Sequence, residues 1–245
     1  MNTVLFDLDG TLLPMDLKEF NDTYFKSIAG RFTQIGLSPE YVKRAILNSI
    51  EEVYNNDGFL THEELFWRAF AKWISQTGEP INDTDLRFFK KEFDKFYKND
   101  FFVARLNTKP SPIAKECVKI LKSKGYRLVV CASPVFPENA IYQMIEWADF
   151  KVEDFEYITT MENCCFSKPN LNYYRRVLQT LKCTSDECMM VGNDVDEDMS
   201  AIKLGIDTFL IDDCLINKNN LDITDFKTGS FKAFREFVKE LPSII

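Results

Sequence analysis

Histidine is nearly missing from this chain: one residue, His62, in 245. A polyhistidine metal centre is therefore excluded, and a Ser-His-Asp triad would have a single imidazole to recruit. That imidazole sits in Thr61-His62-Glu63-Glu64, a capping-box pattern that opens a helix, and it is read as a helix-start residue. No apolar run is long enough to span a bilayer, which argues against a membrane partner. An apolar strand beginning by Val4 leaves no room for a signal peptide, so a cytoplasmic protein is expected. Basic charge is in deficit, 30 Lys+Arg against 38 Asp+Glu, for a net −8 and a pI near 4.9. No nucleic-acid footprint is expected from such a balance. Cysteine is not scarce, but the seven are an odd number without a Cys-x-x-Cys pair. Reduced thiols are expected rather than a disulfide framework or a zinc site.

The remainder is that of a globular chain, 45% hydrophobic and 28% charged, long enough for one large or two modest domains. Its organising stretch is Val4-Leu5-Phe6-Asp7-Leu8-Asp9-Gly10-Thr11-Leu12. The short apolar run reads as a strand buried on both faces, as in a parallel sheet. Residues i and i+2 at a strand end project the same way, so Asp7 and Asp9 can address one site. Two adjacent carboxylates repel, and a metal ion or a raised pKa is needed to stabilise them; hard oxygens of this kind suit magnesium. An ordinary Asp-Gly turn is the plainer alternative for this segment alone.

From about 16 to 105 helical patterns follow one another, at roughly 17–35, 39–55, 62–77 and 84–104. Ser38-Pro39, Thr61 and Asp83 are start signals; Asn56-Asp57-Gly58 and Thr77-Gly78-Glu79-Pro80 are breaks. The many phenylalanines here read as a bundle core before a ligand pocket. After about 108, strands at 128–131, 157–159, 189–191 and 208–211 alternate with helices at 112–124, 137–148, 170–181, 196–204 and 231–241. The predicted fold class is α/β, a doubly wound Rossmann-like parallel sheet with an all-helical cap. The division is residues 1–15 and 106–245 for the core and 16–105 for a four-helix insert.

Chemistry in such a sheet gathers at the carboxyl ends of the strands. Four polar groups fall there or at a helix start: Asp7 and Asp9; Ala132-Ser133; Lys168 in Ser167-Lys168-Pro169-Asn170; and the run Gly192-Asn193-Asp194-Val195-Asp196-Glu197-Asp198. Each alone reads as a solvated loop or helix start. Together, in this order, they form a pattern.

That pattern resembles the haloacid dehalogenase (HAD) superfamily along nearly the whole chain, with a helical cap inserted after the first motif. Asp-Leu-Asp-Gly-Thr matches motif one, Lys168 before Pro169 motif three, and Gly192-Asn193-Asp194 with Asp198 motif four. The resemblance implies that Asp7 attacks phosphorus to form an aspartyl-phosphate. It makes Asp9 the acid for the leaving group and then the base for water. Magnesium would be held by the Asp7 carboxylate, the Asp9 backbone carbonyl and Asp194. Thr11, Ser133 and Lys168 would stand on the phosphate side, and Asn193 and Asp198 would support the site. Four ionised carboxylates would repel a phosphate dianion. One divalent cation, one lysine and a protonated Asp9 bring the sum to zero. Motif two departs from the family, which places Ser or Thr directly after the strand. Here Ala132 comes first and the hydroxyl one place later, and either could occupy the position. The expected function is a magnesium-dependent phosphohydrolase acting on a small soluble phosphorylated metabolite. A phosphomutase, a phosphonatase and a catalytically weak binding or regulatory member are the alternatives.

Overall fold

Val4, Leu5 and Phe6 are each fully buried, as a strand covered on both faces requires. They lie in β1 (Thr3–Phe6), followed in the chain by β2 (Arg127–Val130), β3 (Tyr157–Ile158), β4 (Cys188–Gly192), β5 (Asp207–Ile211) and β6 (Thr228–Gly229). The computed structural model, which describes residues 1–75 and 81–244, joins these in one sheet of order β3-β2-β1-β4-β5-β6. Every pairing is parallel, with Phe6 in register with Val130 on one side and Val191 on the other. β6 is two residues long, too short to leave a periodic signal in the sequence.

Eight α-helices occur among the described residues: α1 (Leu17–Thr33), α2 (Pro39–Tyr54), α3 (His62–Trp73), α4 (Asp83–Asn99), α5 (Pro112–Ser123), α6 (Glu138–Trp147), α7 (Leu171–Leu181) and α8 (Phe231–Glu240). Alternate strand residues serve opposite faces of the sheet. Val4, Phe6, Leu128 and Val191 share a cluster with Cys117 and Leu121 of α5 and Phe234 of α8. Leu5, Val129 and Met190 pack instead with Tyr173, Tyr174 and Val177 of α7. Burying such a side chain is worth roughly 1.5–3 kcal/mol, so both faces contribute.

Helices α1 to α4 all lie between β1 and β2 in the chain. Their starts are capped as the sequence suggests at Thr61, which forms a full capping box with Glu64. At α4 the cap is Asn82, one place earlier than the predicted Asp83, because its carboxamide accepts from the N–H groups of Thr84 and Asp85. The Ser38 side chain makes no capping bond. The predicted break at Thr77–Pro80 lies outside the described residues. The two chain crossings sit side by side: Met15 and Thr108 form an antiparallel bridge, and Lys109 N–H donates to the Pro14 carbonyl at 2.9 Å.

Two predicted helices differ. The stretch 84–104 ends as α-helix at Asn99 and continues as a 3-10 helix, Phe101–Asn107. Asp100 between them leaves helical geometry, with its carboxylate on Arg31 at 2.6 Å. The expected helix at 196–204 is a series of turns and a 3-10 segment, Met199–Leu204. The Asp194 carboxylate there captures the N–H groups of Asp196 and Glu197, and the winding continues through i→i−3 bonds such as Ala201 to Asp198. Most phenylalanines of the helical block are core, but Phe59, Phe88 and Phe102 are exposed.

Candidate active site

The carboxyl ends of β1, β2 and β4 open on one cavity of about 210 Å³, and Asp7, Asp9, Ser133, Lys168, Asn193, Asp194 and Asp198 all reach its wall. Asp7 leaves β1 with its N–H on the Val191 carbonyl, at 2.9 Å. Its two oxygens are both engaged: Oδ1 accepts from Lys168 Nζ at 2.7 Å, and Oδ2 from the Thr11 hydroxyl at 3.0 Å. Thr11 is fully buried, also lies 2.9 Å from Asn193 Oδ1, and is not part of the cavity wall. It therefore holds the nucleophile candidate and motif four together from behind. Gly10 makes this possible: its φ is +83°, and a Cβ there would lie 2.4 Å from Asn193 Nδ2.

Lys168, almost wholly buried, also donates to Asp198 Oδ1 at 2.6 Å. Burial pulls its ammonium down, and the Asp198 and Asp7 carboxylates more than reverse that, holding it well above the ordinary lysine range. Asp198 Oδ2 in turn accepts the Asp194 N–H at 3.0 Å. One carboxylate thus fixes both the lysine and the loop carrying Asp194. It can approach because residue 192 is glycine, whose added Cβ would lie 2.1 Å from Asp198 Oδ2.

Asp9 has a different environment. Its Oδ1 is buried and has no protein partner. Burial first, and then the Asp7 charge, push its pKa up to about 7. A carboxyl held protonated near neutrality beside an ionised one is the arrangement a general acid needs.

Ala132 and Ser133 face different ways. Ala132 is fully buried, and its carbonyl accepts from the Thr159 and Tyr173 hydroxyls at 3.0 and 2.9 Å. Ser133 is the residue on the cavity, with its Oγ 3.3 Å from the Tyr54 hydroxyl.

Several wall residues carried no signal in the sequence. Leu17 and Asn21 of α1 and Tyr54 of α2 come from the helical block, and Lys218 from the loop after β5. Glu197 lies inside the acidic run, where its type alone implies no role; it faces the cavity, and burial pushes its pKa up to about 7. Its place in that run was the one clue available.

Among the described residues no group of three or more His, Cys, Asp or Glu side chains gathers as a ligand set. Magnesium keeps several waters and takes one or two carboxylates, so it needs no such set. One feature fits it here: a wall with five acidic side chains (Asp7, Asp9, Asp194, Glu197, Asp198) against two lysines, Lys168 and Lys218. The donors are hard oxygens, and the charge deficit is of the sign a divalent cation corrects.

Comparison with known proteins bears on the fold and the family. The chain is similar in fold to a predicted phosphoglycolate phosphatase from Haemophilus somnus 129PT (TM-score 0.58, 17% identity, 97% of each chain covered). It is similar to a HAD phosphatase from Thermococcus onnurineus (TM-score 0.58, 14% identity, 100% of each chain). It is also similar to the L-2-haloacid dehalogenase of Xanthobacter autotrophicus (TM-score 0.57, 14% identity, 98% and 99% covered). At these identities the likeness is one of fold. No curated protein matches the sequence. The family model for haloacid dehalogenase-like hydrolases matches residues 1–205, and the chain belongs to that hydrolase family.

Proposed function

We propose that this hydrolase is a magnesium-dependent phosphatase acting on a small soluble phosphomonoester through an aspartyl-phosphate on Asp7. The observation that carries the reading is the contrast between two aspartates on one cavity. Asp7 is ion-paired to Lys168, whereas Asp9 has a buried oxygen with no protein partner and a pKa near 7. Release of halide needs no proton, so an acid placed beside the nucleophile favours an alkoxide leaving group over a halide.

In the first step an Asp7 oxygen bonds to phosphorus. The bond from phosphorus to the leaving oxygen breaks, and that oxygen takes the Asp9 proton. In the second, the Asp9 carboxylate accepts a proton from water as the water oxygen attacks phosphorus. The bond to Asp7 then breaks, releasing phosphate and restoring the Asp7 carboxylate and the protonated Asp9. Lys168 supplies positive charge to Asp7, and Ser133 is placed to donate to a phosphoryl oxygen. A bound magnesium ion, held by Asp7, the Asp9 carbonyl and Asp194, would neutralise phosphate charge.

Leu17, Asn21 and Tyr54 on the cavity wall support residues 16–105 as a lid over the core. The seven unpaired cysteines support a reducing, cytoplasmic setting, and among the described residues no helix is long and apolar enough to cross a membrane. The test is phosphate release from a panel of phosphorylated metabolites with magnesium and with chelator. Activity on at least one ester, lost with chelator and in Asp7→Asn, is expected. Halide release from 2-haloacids without phosphate release would overturn the reading.

A further inference from the structure

A second, larger chamber adjoins the catalytic cavity. It measures about 310 Å³, within the range of small-molecule sites, and lies between the helical block and the segments that follow β2 and β3. Val135 lines both spaces. Two helix faces also run from one to the other. On α1, Leu17 and Asn21 face the catalytic cavity, and Tyr24, three residues on, faces the chamber. On α2, Tyr54 faces the cavity, and Ile50 and Ile46, at successive i−4 steps, face the chamber. Residues so spaced share a helix face, so a molecule reaching along these stripes would have one end in each space.

The chamber walls have a definite chemistry. Phe66, Trp67, Phe93 and Tyr97 make them aromatic. Five charged groups face in: Glu63, Asp94, Glu138, Glu162 and Lys90. Asp94 is neutralised by Lys98 at 2.9 Å. Glu162 accepts the Glu138 N–H, and Glu138 accepts the Tyr142 hydroxyl, both neutral donors that leave the carboxylate charges in place. Lys90 sits over the Trp67 ring, 5.3 Å from its centroid, so an indole face here already holds one ammonium. Aromatic faces and an excess of carboxylates (Glu63, Glu138 and Glu162 against Lys90) both attract a cation, and an apolar body fits the remaining wall.

We infer that this chamber seats the leaving-group end of the substrate and selects a phosphomonoester whose alcohol carries an aromatic-sized apolar body ending in an ammonium group. The catalytic half of this inference rests on the phosphatase reading; the binding of the cation does not.

The test uses tyramine and 4-ethylphenol, which differ by the ammonium alone, with binding to the full chain measured by titration calorimetry. Tyramine is expected to bind at least tenfold more tightly. In the Glu63→Gln/Glu162→Gln double variant the gap should shrink below threefold, with 4-ethylphenol binding unchanged. Their phosphate esters should show the same order in kcat/KM. Equal binding of the two phenols to the wild type overturns the inference, whether or not the variant folds. A gap that persists in the folded variant overturns it as well. If tyramine binds selectively but neither ester nor any other phosphomonoester is hydrolysed, the chamber stands and the phosphatase reading falls. If esters are hydrolysed and the phenols bind alike, the reverse holds.

Discussion

Ser133 Oγ lies 3.3 Å from the Tyr54 hydroxyl, the one side-chain hydrogen bond among the described residues that joins helix α2 to a cavity-facing side chain of the loop after β2. It ties the helical block to the residue that the phosphatase reading sets against a phosphoryl oxygen. A hydrogen bond to a charged oxygen is worth roughly 1.5–3 kcal/mol, so Ser133→Ala should lower kcat about ten- to a hundredfold. Tyr54→Phe, which keeps the ring, should affect KM more than kcat. Ala132→Thr adds bulk at a fully buried position and should reduce stability by about 1–3 kcal/mol without raising the rate. Steady-state kinetics with urea unfolding of the three variants check this, and a rate gain from Ala132→Thr would reassign the motif position.

Asp7→Asn keeps the shape of the side chain and removes the attacking charge. Turnover should vanish while the fold persists, with Thr11 still able to donate to the amide oxygen. Far-UV circular dichroism and phosphate release measure the two halves. Substantial magnesium-dependent turnover in the folded variant would rule out an aspartyl-phosphate on Asp7.

Gly192→Ala tests the Asp198 relay. The new methyl would fall 2.1 Å from Asp198 Oδ2 and 2.6 Å from its Cβ, so the whole side chain must move. That motion breaks the bonds to Lys168 and to the Asp194 N–H. Activity should fall by more than about tenfold and stability by about 1–3 kcal/mol, lowering Tm by several degrees. Wild-type kinetics in this variant would show that Asp198 does not position Lys168.

The ion pairs beneath α1 give a pH prediction. Lys95 first, with Arg31, holds the buried Glu92 carboxyl below its ordinary range. The unfolded chain then binds the proton more readily than the native one. The stabilisation is thus complete above the ordinary glutamate pKa, roughly 4.3, and is lost as pH falls through the lowered native value. Glu92→Gln should cost about 1–3 kcal/mol near pH 7, between the values for exposed and buried pairs, and progressively less below about pH 4. Urea midpoints of wild type and variant across that range decide it; a gap that widens on acidification contradicts the sign.

The local code of this chain was enough for most of its elements and for the order of its motifs, though not for β6 or the 3-10 segments 101–107 and 199–204. The apolar run at 4–6 and the Thr61 box depend on neighbours within a few residues, and they appear where the sequence places them. Asp7, Lys168 and Asp194 were legible for the same reason: a parallel sheet brings its strand ends together whatever the loops do. Side-chain direction was not legible. Nothing local says that Ala132 turns inward and Ser133 outward, because the Thr159 and Tyr173 hydroxyls that hold the Ala132 carbonyl are distant in the chain. Thr11 likewise turned from the phosphate side to the back of Asp7 through its contact with Asn193, 182 positions away. Tyr54, Asn21 and Lys218 reached the cavity by the packing of helices and a late loop, which helical periodicity leaves free to face any way around the bundle. The sequence could therefore name carboxylates that meet at the strand ends, while only long-range packing decided which residues surround them and what shape of cavity they leave.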